Sequence, residues 1–278
     1  MTNGHRVVGL GGAWEPAPVS DLFTLAGRTA LVTGGSSGIG AAVAAELVAA
    51  GARVLICGRD RHALGRTVDD LSGVGEVDGI PADVATRSGI DALVEQVTSR
   101  TGGTLHLLVN NAGTTRDGDW EAYPEPEWDA TFDLNVKAVH YLTAALVPLL
   151  RATARPGDPA RVVHVGSMDG IAPMTGNPAY GASKAAVHHL TRIHARALAT
   201  DEITVNAVAP GVFPSRLTAS ALDDPGGRRQ LERAIPLGRI GRPAEIGGTV
   251  VYLASRAGAF TTGTVLAVDG GITGCGLS

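Results

Sequence analysis

The chain has 278 residues, 44% of them apolar and 18% charged, and a formal net charge of -4. It is long enough to bury a substantial core, and its composition is that of a globular protein. The slight acidity, with no basic stripe between aromatics, argues against a nucleic-acid or anionic-membrane partner.

The opening stretch, MTNGHRVVGLGGAWEPAPVSDLF, lacks the basic start and unbroken apolar run of a signal peptide. No segment approaches the roughly 20 apolar residues of a membrane-spanning helix. Cys57 and Cys275 have no metal-ligand spacing, and Cys57 reads as a small buried hydrophobe, which fits a reducing compartment. A cytoplasmic protein is the expectation, with an irregular extension over residues 1–24 and a single domain over 25–278.

Strand and helix signals then alternate. RTALVT is a β-branched run ending in glycines, and the alanine-rich GAAVAAELVAAG after it predicts a helix closed by Gly51. ARVLICG is the second strand, followed by a polar, periodic helix from Asp60 to Leu71, with Asp60 as its N-cap. The pattern continues with a strand over 76–80, a helix over 87–101, the strand LHLLVNNAG and a helix over 125–153. ARVVHVGS, a helix from Pro178 to Thr200, ITVNAVAP, a helix over Pro243–Ser255 and TVLAVDGG complete it. The strands are nearly continuous apolar runs, as expected where helices cover both faces of a parallel sheet. The fold expected is a doubly wound α/β Rossmann domain with seven parallel strands. Residues 213–236 show no regular pattern and read as an irregular lid over a substrate.

The first strand-to-helix turn, TGGSSGIG, admits two readings. Gly34, Ser36 and Gly38 match the G-x-S-x-G elbow of a serine hydrolase. With Gly40 they also form a loop able to seat a pyrophosphate on a helix N-terminus. Position favours the nucleotide, because this turn follows the first strand, and no histidine lies beyond His194 to complete a hydrolase triad. NNAG at 110–113 ends the fourth strand, where a ligand crevice is expected. Tyr180 and Lys184, in YGASK, stand i and i+4 on one helix face, where an ammonium can stabilise a phenolate. Ser167 ends the preceding strand near the same crevice. Asn135 falls mid-helix, where it is either functional or a solvent-facing polar residue. His188, His189 and His194 share a helix without metal-binding spacing and read as surface or packing residues. Trp120, after NNAG, serves either packing or substrate contact.

TGGSSGIG, NNAG, Asn135, Ser167, YGASK and VNAVAPG, in this order, resemble the short-chain dehydrogenase/reductase family over residues 25–271. APGVFPSRLT and IPLGRIGRPAEIGGTVVYLAS resemble its 3-oxoacyl-thioester reductases of the rhamnolipid-linked type. The resemblance implies Tyr180 as general acid and Lys184 as the group that holds the ribose and lowers the Tyr180 pKa. It implies Ser167 on the substrate oxygen and Asn135 holding a relay water. It implies cofactor contacts from Gly34, Ser36, Ser37, Gly38, Ile39 and Gly40, and from Asp83 and Val84 at the adenine. Asn111, Ala112 and Gly113 join them, as do Pro210, Gly211 and Val212, and Ser215 where relatives carry threonine. It also implies a homotetramer.

The second strand ends Cys57-Gly58-Arg59-Asp60, with glycine where an acid would bind the ribose 2′-hydroxyl of NAD and Arg59 placed to pair with a 2′-phosphate. NADP(H) is therefore expected over NAD(H), although Ser37 stands where many NADP-using relatives carry a basic residue. The expected function is a carbonyl reductase acting on a small-molecule or acyl-thioester substrate. An alcohol or sugar-acid dehydrogenase, a serine hydrolase using Ser36 and a cofactor-binding sensor are the alternatives. Arg216, Arg228, Arg229 and Arg233 give the lid a basic character that suits an acidic carrier or a solvated loop.

Overall fold

The computed structural model describes residues 17–173, 176–215 and 218–275, with the side chain of Ser220 excluded. Most of the N-terminal extension, Arg216 in the lid and the last three residues lie outside the described residues. In chain order the elements are α1 (Val19–Phe23), β1 (Thr29–Thr33), α2 (Gly38–Ala49), β2 (Arg53–Gly58), α3 (Arg61–Ser72) and β3 (Val77–Pro81). Next come α4 (Arg87–Thr101), β4 (Leu107–Asn110), α5 (Glu125–Phe132), α6 (Ala138–Thr153), β5 (Ala160–Val165) and α7 (Pro178–Leu198). The chain ends with β6 (Ile203–Pro210), α8 (Ala219–Asp223), α9 (Pro225–Ala234), α10 (Pro243–Ala254) and β7 (Val265–Val268).

All seven strands form one parallel sheet in the order β3-β2-β1-β4-β5-β6-β7. The order reverses between β1 and β4, which opens a crevice at the carboxyl ends of these strands. Adjacent strand residues face opposite layers: Ala30 and Val32 pack with Val43, Leu47 and Val250. Leu31 packs instead with Leu93, Leu142, Leu146 and Ala195. Both faces are thus buried, which is why the strands are apolar without alternation.

Local signals placed several elements well. The Asp60 carboxylate accepts from the amides of His62 and Ala63 at 2.9 and 3.0 Å, capping α3 as expected. Three expectations need correction. The extension is not wholly irregular, because Val19–Phe23 is helical. The region 213–236 carries two helices; Asp224 caps α9 by accepting from Gly226 and Gly227, and Pro225 occupies its first position. The helix expected over 125–153 is broken by a π-turn at Asp133–Lys137, which contains Asn135.

Candidate active site

The crevice is built first from backbone. Gly34 and Gly38 adopt φ of 64° and 54°, the left-handed region that favours glycine. A Cβ on Gly40 would stand 2.2 Å from the Gly34 carbonyl oxygen and 2.4 Å from Asn111 Nδ2, so only glycine fits there. The N-cap of α2, Ser37, makes no side-chain cap, which leaves the first amides of the helix to a ligand or solvent. Asn111 Nδ2 donates to the carbonyls of Thr33 and Gly34 at 2.8 and 3.2 Å, tying NNAG to the glycine loop.

Thr33 drew no notice in the sequence, yet its hydroxyl accepts from the amides of Asn111 and Ala112, both at 2.9 Å. It is the pin of the switch point. Asn110, one residue earlier, donates from Nδ2 to His164 Nδ1 at 3.1 Å and to Thr143 at 3.0 Å.

The four residues expected to carry chemistry converge on this crevice. Asn135 is 1% exposed, which removes the solvent-facing alternative. Its Oδ1 accepts from the Thr114 amide at 2.9 Å, and its Nδ2 donates to Thr114 O at 2.9 Å and Ser183 Oγ at 3.0 Å. The π-turn aims this amide across the gap to α7 and to the loop after NNAG, a use of such turns common at functional sites. Gly113 lies between, where a Cβ would stand 3.2 Å from Asn135 Oδ1 and 3.5 Å from Lys184 Nζ.

Lys184 is buried and donates to Val165 O at 2.9 Å. Burial lowers its pKa to about 8. Its Nζ stands 5.5 Å over the Tyr180 ring. Burial raises the Tyr180 phenol above its ordinary value, the hydrogen bond with the Ser167 hydroxyl opposes this, and the Asp169 carboxylate adds to it. The net shift is thus upward, opposite to the lowering expected from Lys184, because desolvation of the phenolate outweighs the Ser167 hydrogen bond. A phenol held protonated at neutral pH is a proton donor.

The outer contacts surround this centre. Ala82 donates to Gly58 O at 3.0 Å, bringing Asp83 and the buried Val84 beside the end of β2. Arg59 is exposed and makes no ion pair or hydrogen bond among the described residues. A Cβ on Gly58 would be 3.1 Å from Ser36 Oγ, so Ser36 faces the position where an acid would stand. Among the described residues no histidine hydrogen-bonds Ser36, so the hydrolase alternative lacks its base. Ile39 packs at the margin of the core. Pro210 ends β6, Gly211 donates to Val268 O at 2.9 Å, and Val212 is buried beyond it. Ser215 bonds Thr218 and lies against Gly38, where a Cβ would meet it at 3.2 Å. A cavity of about 560 Å³ is lined by Val212, Ile235, Leu237 and Cys275, and Tyr180 is not among its lining residues.

Residues 34–273 match the family model described as enoyl-(acyl carrier protein) reductase. The chain belongs to the short-chain dehydrogenase/reductase family. As a short-chain dehydrogenase/reductase it is an oxidoreductase. It is 45% identical over 250 residues to the rhamnolipids biosynthesis 3-oxoacyl-[acyl-carrier-protein] reductase of Pseudomonas aeruginosa, covering 90% of this chain and 97% of that one. It is 37% identical to the 3-oxoacyl-[acyl-carrier-protein] reductase FabG of Thermotoga maritima, covering 89% and 98%. The solved Pseudomonas aeruginosa RhlG/NADP active-site complex superposes with a TM-score of 0.88 at 44% identity, covering 91% and 99%.

Proposed function

We propose that this protein reduces the carbonyl of a 3-oxoacyl thioester with NADPH. The observation that carries the reading is the hydrogen-bonded Ser167–Tyr180 pair with Lys184 beside it, together with the Gly34–Gly40 loop and an Arg59 that has no ion pair or hydrogen bond among the described residues. The relatives named above support the thioester, and the RhlG/NADP complex supports the cofactor.

The residues fit the nucleotide. The loop from Gly34 through Ser36, Ser37, Gly38 and Ile39 to Gly40 would hold its pyrophosphate on the uncapped start of α2. Arg59 and Ser36 would receive the 2′-phosphate, and no carboxylate precedes Arg59 to repel it. Asp83, Val84, Asn111, Ala112 and Gly113 would border the adenosine. Pro210, Gly211, Val212 and Ser215 would border the nicotinamide side. Bound NADPH supplies the hydride.

The rest is the chain's own work. Ser167 would hydrogen-bond the substrate oxygen and stabilise its developing negative charge. Tyr180 would pass its phenolic proton to that oxygen. Lys184 would hold the ribose hydroxyls and return positive charge to the phenolate as it forms. The Asn135 side chain clamps Thr114 and Ser183, keeping α7 in register with the NNAG turn. The two helices of 213–236 would cover the substrate.

We also infer a cytoplasmic homotetramer. Among the described residues no helix is long and apolar enough to cross a membrane. Tyr141 on α6, Ile193 on α7 and Phe260 before β7 expose large apolar side chains suited to subunit contacts.

The deciding experiment titrates the purified protein with NADPH and NADH, then follows oxidation of the tighter one with 3-oxoacyl thioesters of increasing chain length. Preferred NADPH binding with thioester turnover supports the reading. Preferred NADH binding, or turnover of alcohols and sugar acids alone, would replace it with an oxidative dehydrogenase.

A further inference from the structure

His188 lies one turn beyond Lys184 on the face of α7 that carries Tyr180, and it is 5% exposed. Its Nδ1 is 3.2 Å from the Gly170 carbonyl oxygen, and its Nε2 is 3.5 Å from the Ser167 amide nitrogen. A carbonyl only accepts, so the ring proton sits on Nδ1 and the Nε2 lone pair faces the Ser167 N–H. The ring occupies space left by two glycines. A Cβ on Gly166 would be 2.1 Å from Nε2, and one on Gly170 would be 2.8 Å from Cε1.

We propose that His188 is a positioning residue that holds the Ser167 peptide, and so aims the Ser167 hydroxyl at Tyr180 and the substrate oxygen. The imidazole spans the turn after β5 at both ends, Ser167 and Gly170. It does so from the same helix that presents Tyr180 and Lys184. One rigid element therefore sets the spacing between the serine and the tyrosine. Burial, with Lys184 and Arg192 nearby, lowers the His188 pKa to about 4, so at neutral pH the ring is neutral and its lone pair remains available. The inference rests on the proposed role of Ser167.

The test measures kcat, KM and NADPH affinity with a 3-oxoacyl thioester for His188→Leu, His188→Asn, His188→Gln, Ser167→Ala and the double variant His188→Leu/Ser167→Ala. His188→Leu should lower kcat about tenfold, the scale of one lost hydrogen bond, with NADPH affinity unchanged. Glutamine carries an acceptor out to the Nε2 position and should restore most of kcat. Asparagine reaches only the Nδ1 position and should not. In the Ser167→Ala background, His188→Leu should have little further effect, because its target is gone. Equal losses with and without Ser167, or rescue by asparagine as good as by glutamine, would overturn the proposal. Should His188→Leu fail to fold, the glutamine and asparagine variants decide alone. A fully active Ser167→Ala overturns the role of Ser167 itself, and this proposal with it.

Discussion

Acid should weaken this fold at a pH where its carboxylates are still largely ionised, because three histidines form a hydrogen-bonded chain from the core to the surface. His164 on β5 is fully buried and accepts at Nδ1 from Asn110. An amide NH₂ only donates, so His164 carries its proton on Nε2, 3.2 Å from His194 Nδ1. His194 in turn faces His140 Nδ1 across 3.0 Å, and His140 is exposed. One amide thus sets the tautomer of the whole chain, and any added proton places two N–H groups face to face. Burial lowers the His164 pKa from 6.5 to about 3 and that of His194 to about 4.

A group whose folded pKa lies below its unfolded value contributes stability that is complete above the unfolded value. That stability is lost as pH falls toward the folded value. For His164 the loss between pH 7 and about pH 4.5 is on the order of 3 kcal/mol, and His194 acts in the same direction. That is a large share of the 5–15 kcal/mol typical of a domain. Urea unfolding followed by far-UV circular dichroism at half-unit pH steps measures it. The slope of stability against pH should be positive from about 4.5 to 6.5 and should flatten in His164→Gln, which keeps a polar partner but does not titrate. Stability constant over that window in the unmodified chain would refute both the chain and its tautomers.

The remaining predictions concern the site. Tyr180→Phe removes the proton donor and should lower kcat by about 10²–10⁴ while nucleotide binding, read by fluorescence titration, persists. Arg59→Asp should weaken NADPH about tenfold or more and narrow its preference over NADH, the effect of losing a charge-assisted hydrogen bond; unchanged selectivity removes Arg59 from the cofactor account. Asn135→Ala strands the Thr114 amide and carbonyl and should destabilise the fold by about 2–4 kcal/mol, visible as a lower urea midpoint. Arg228→Glu with Arg229→Glu reverses charge on the exposed face of α9 and should raise KM for carrier-linked substrates but not for short thioesters. Equal KM changes for both would assign these arginines to the solvated surface.

Much of the architecture is legible in the sequence. The β-branched runs, the alanine-rich helix after TGGSSGIG and the Asp60 cap are written in nearest neighbours, where φ/ψ preference and one side chain decide. Tyr180 and Lys184 were legible for the same reason, since spacing of four on a helix puts two side chains on one face. The helices of 213–236 were missed because their stretch is rich in glycine and proline. Asp224 and Pro225 were the local signal that could have found α9.

What lay beyond the sequence depends on residues far apart in the chain. The π-turn at Asp133–Lys137 follows no local rule visible in FDLNVKA; it presents Asn135 to Thr114, 21 residues earlier, and Ser183, 48 later. Thr33 looked like the last residue of a strand until β4 came beside it. His188 and the His140–His194–His164 chain looked like scattered polar residues on helices and a strand. Their meaning arises from burial, which removes competing water and makes each unpaired donor or acceptor costly. Local propensity determines which elements form, whereas only the packed sheet decides which polar groups must find one another in the absence of solvent.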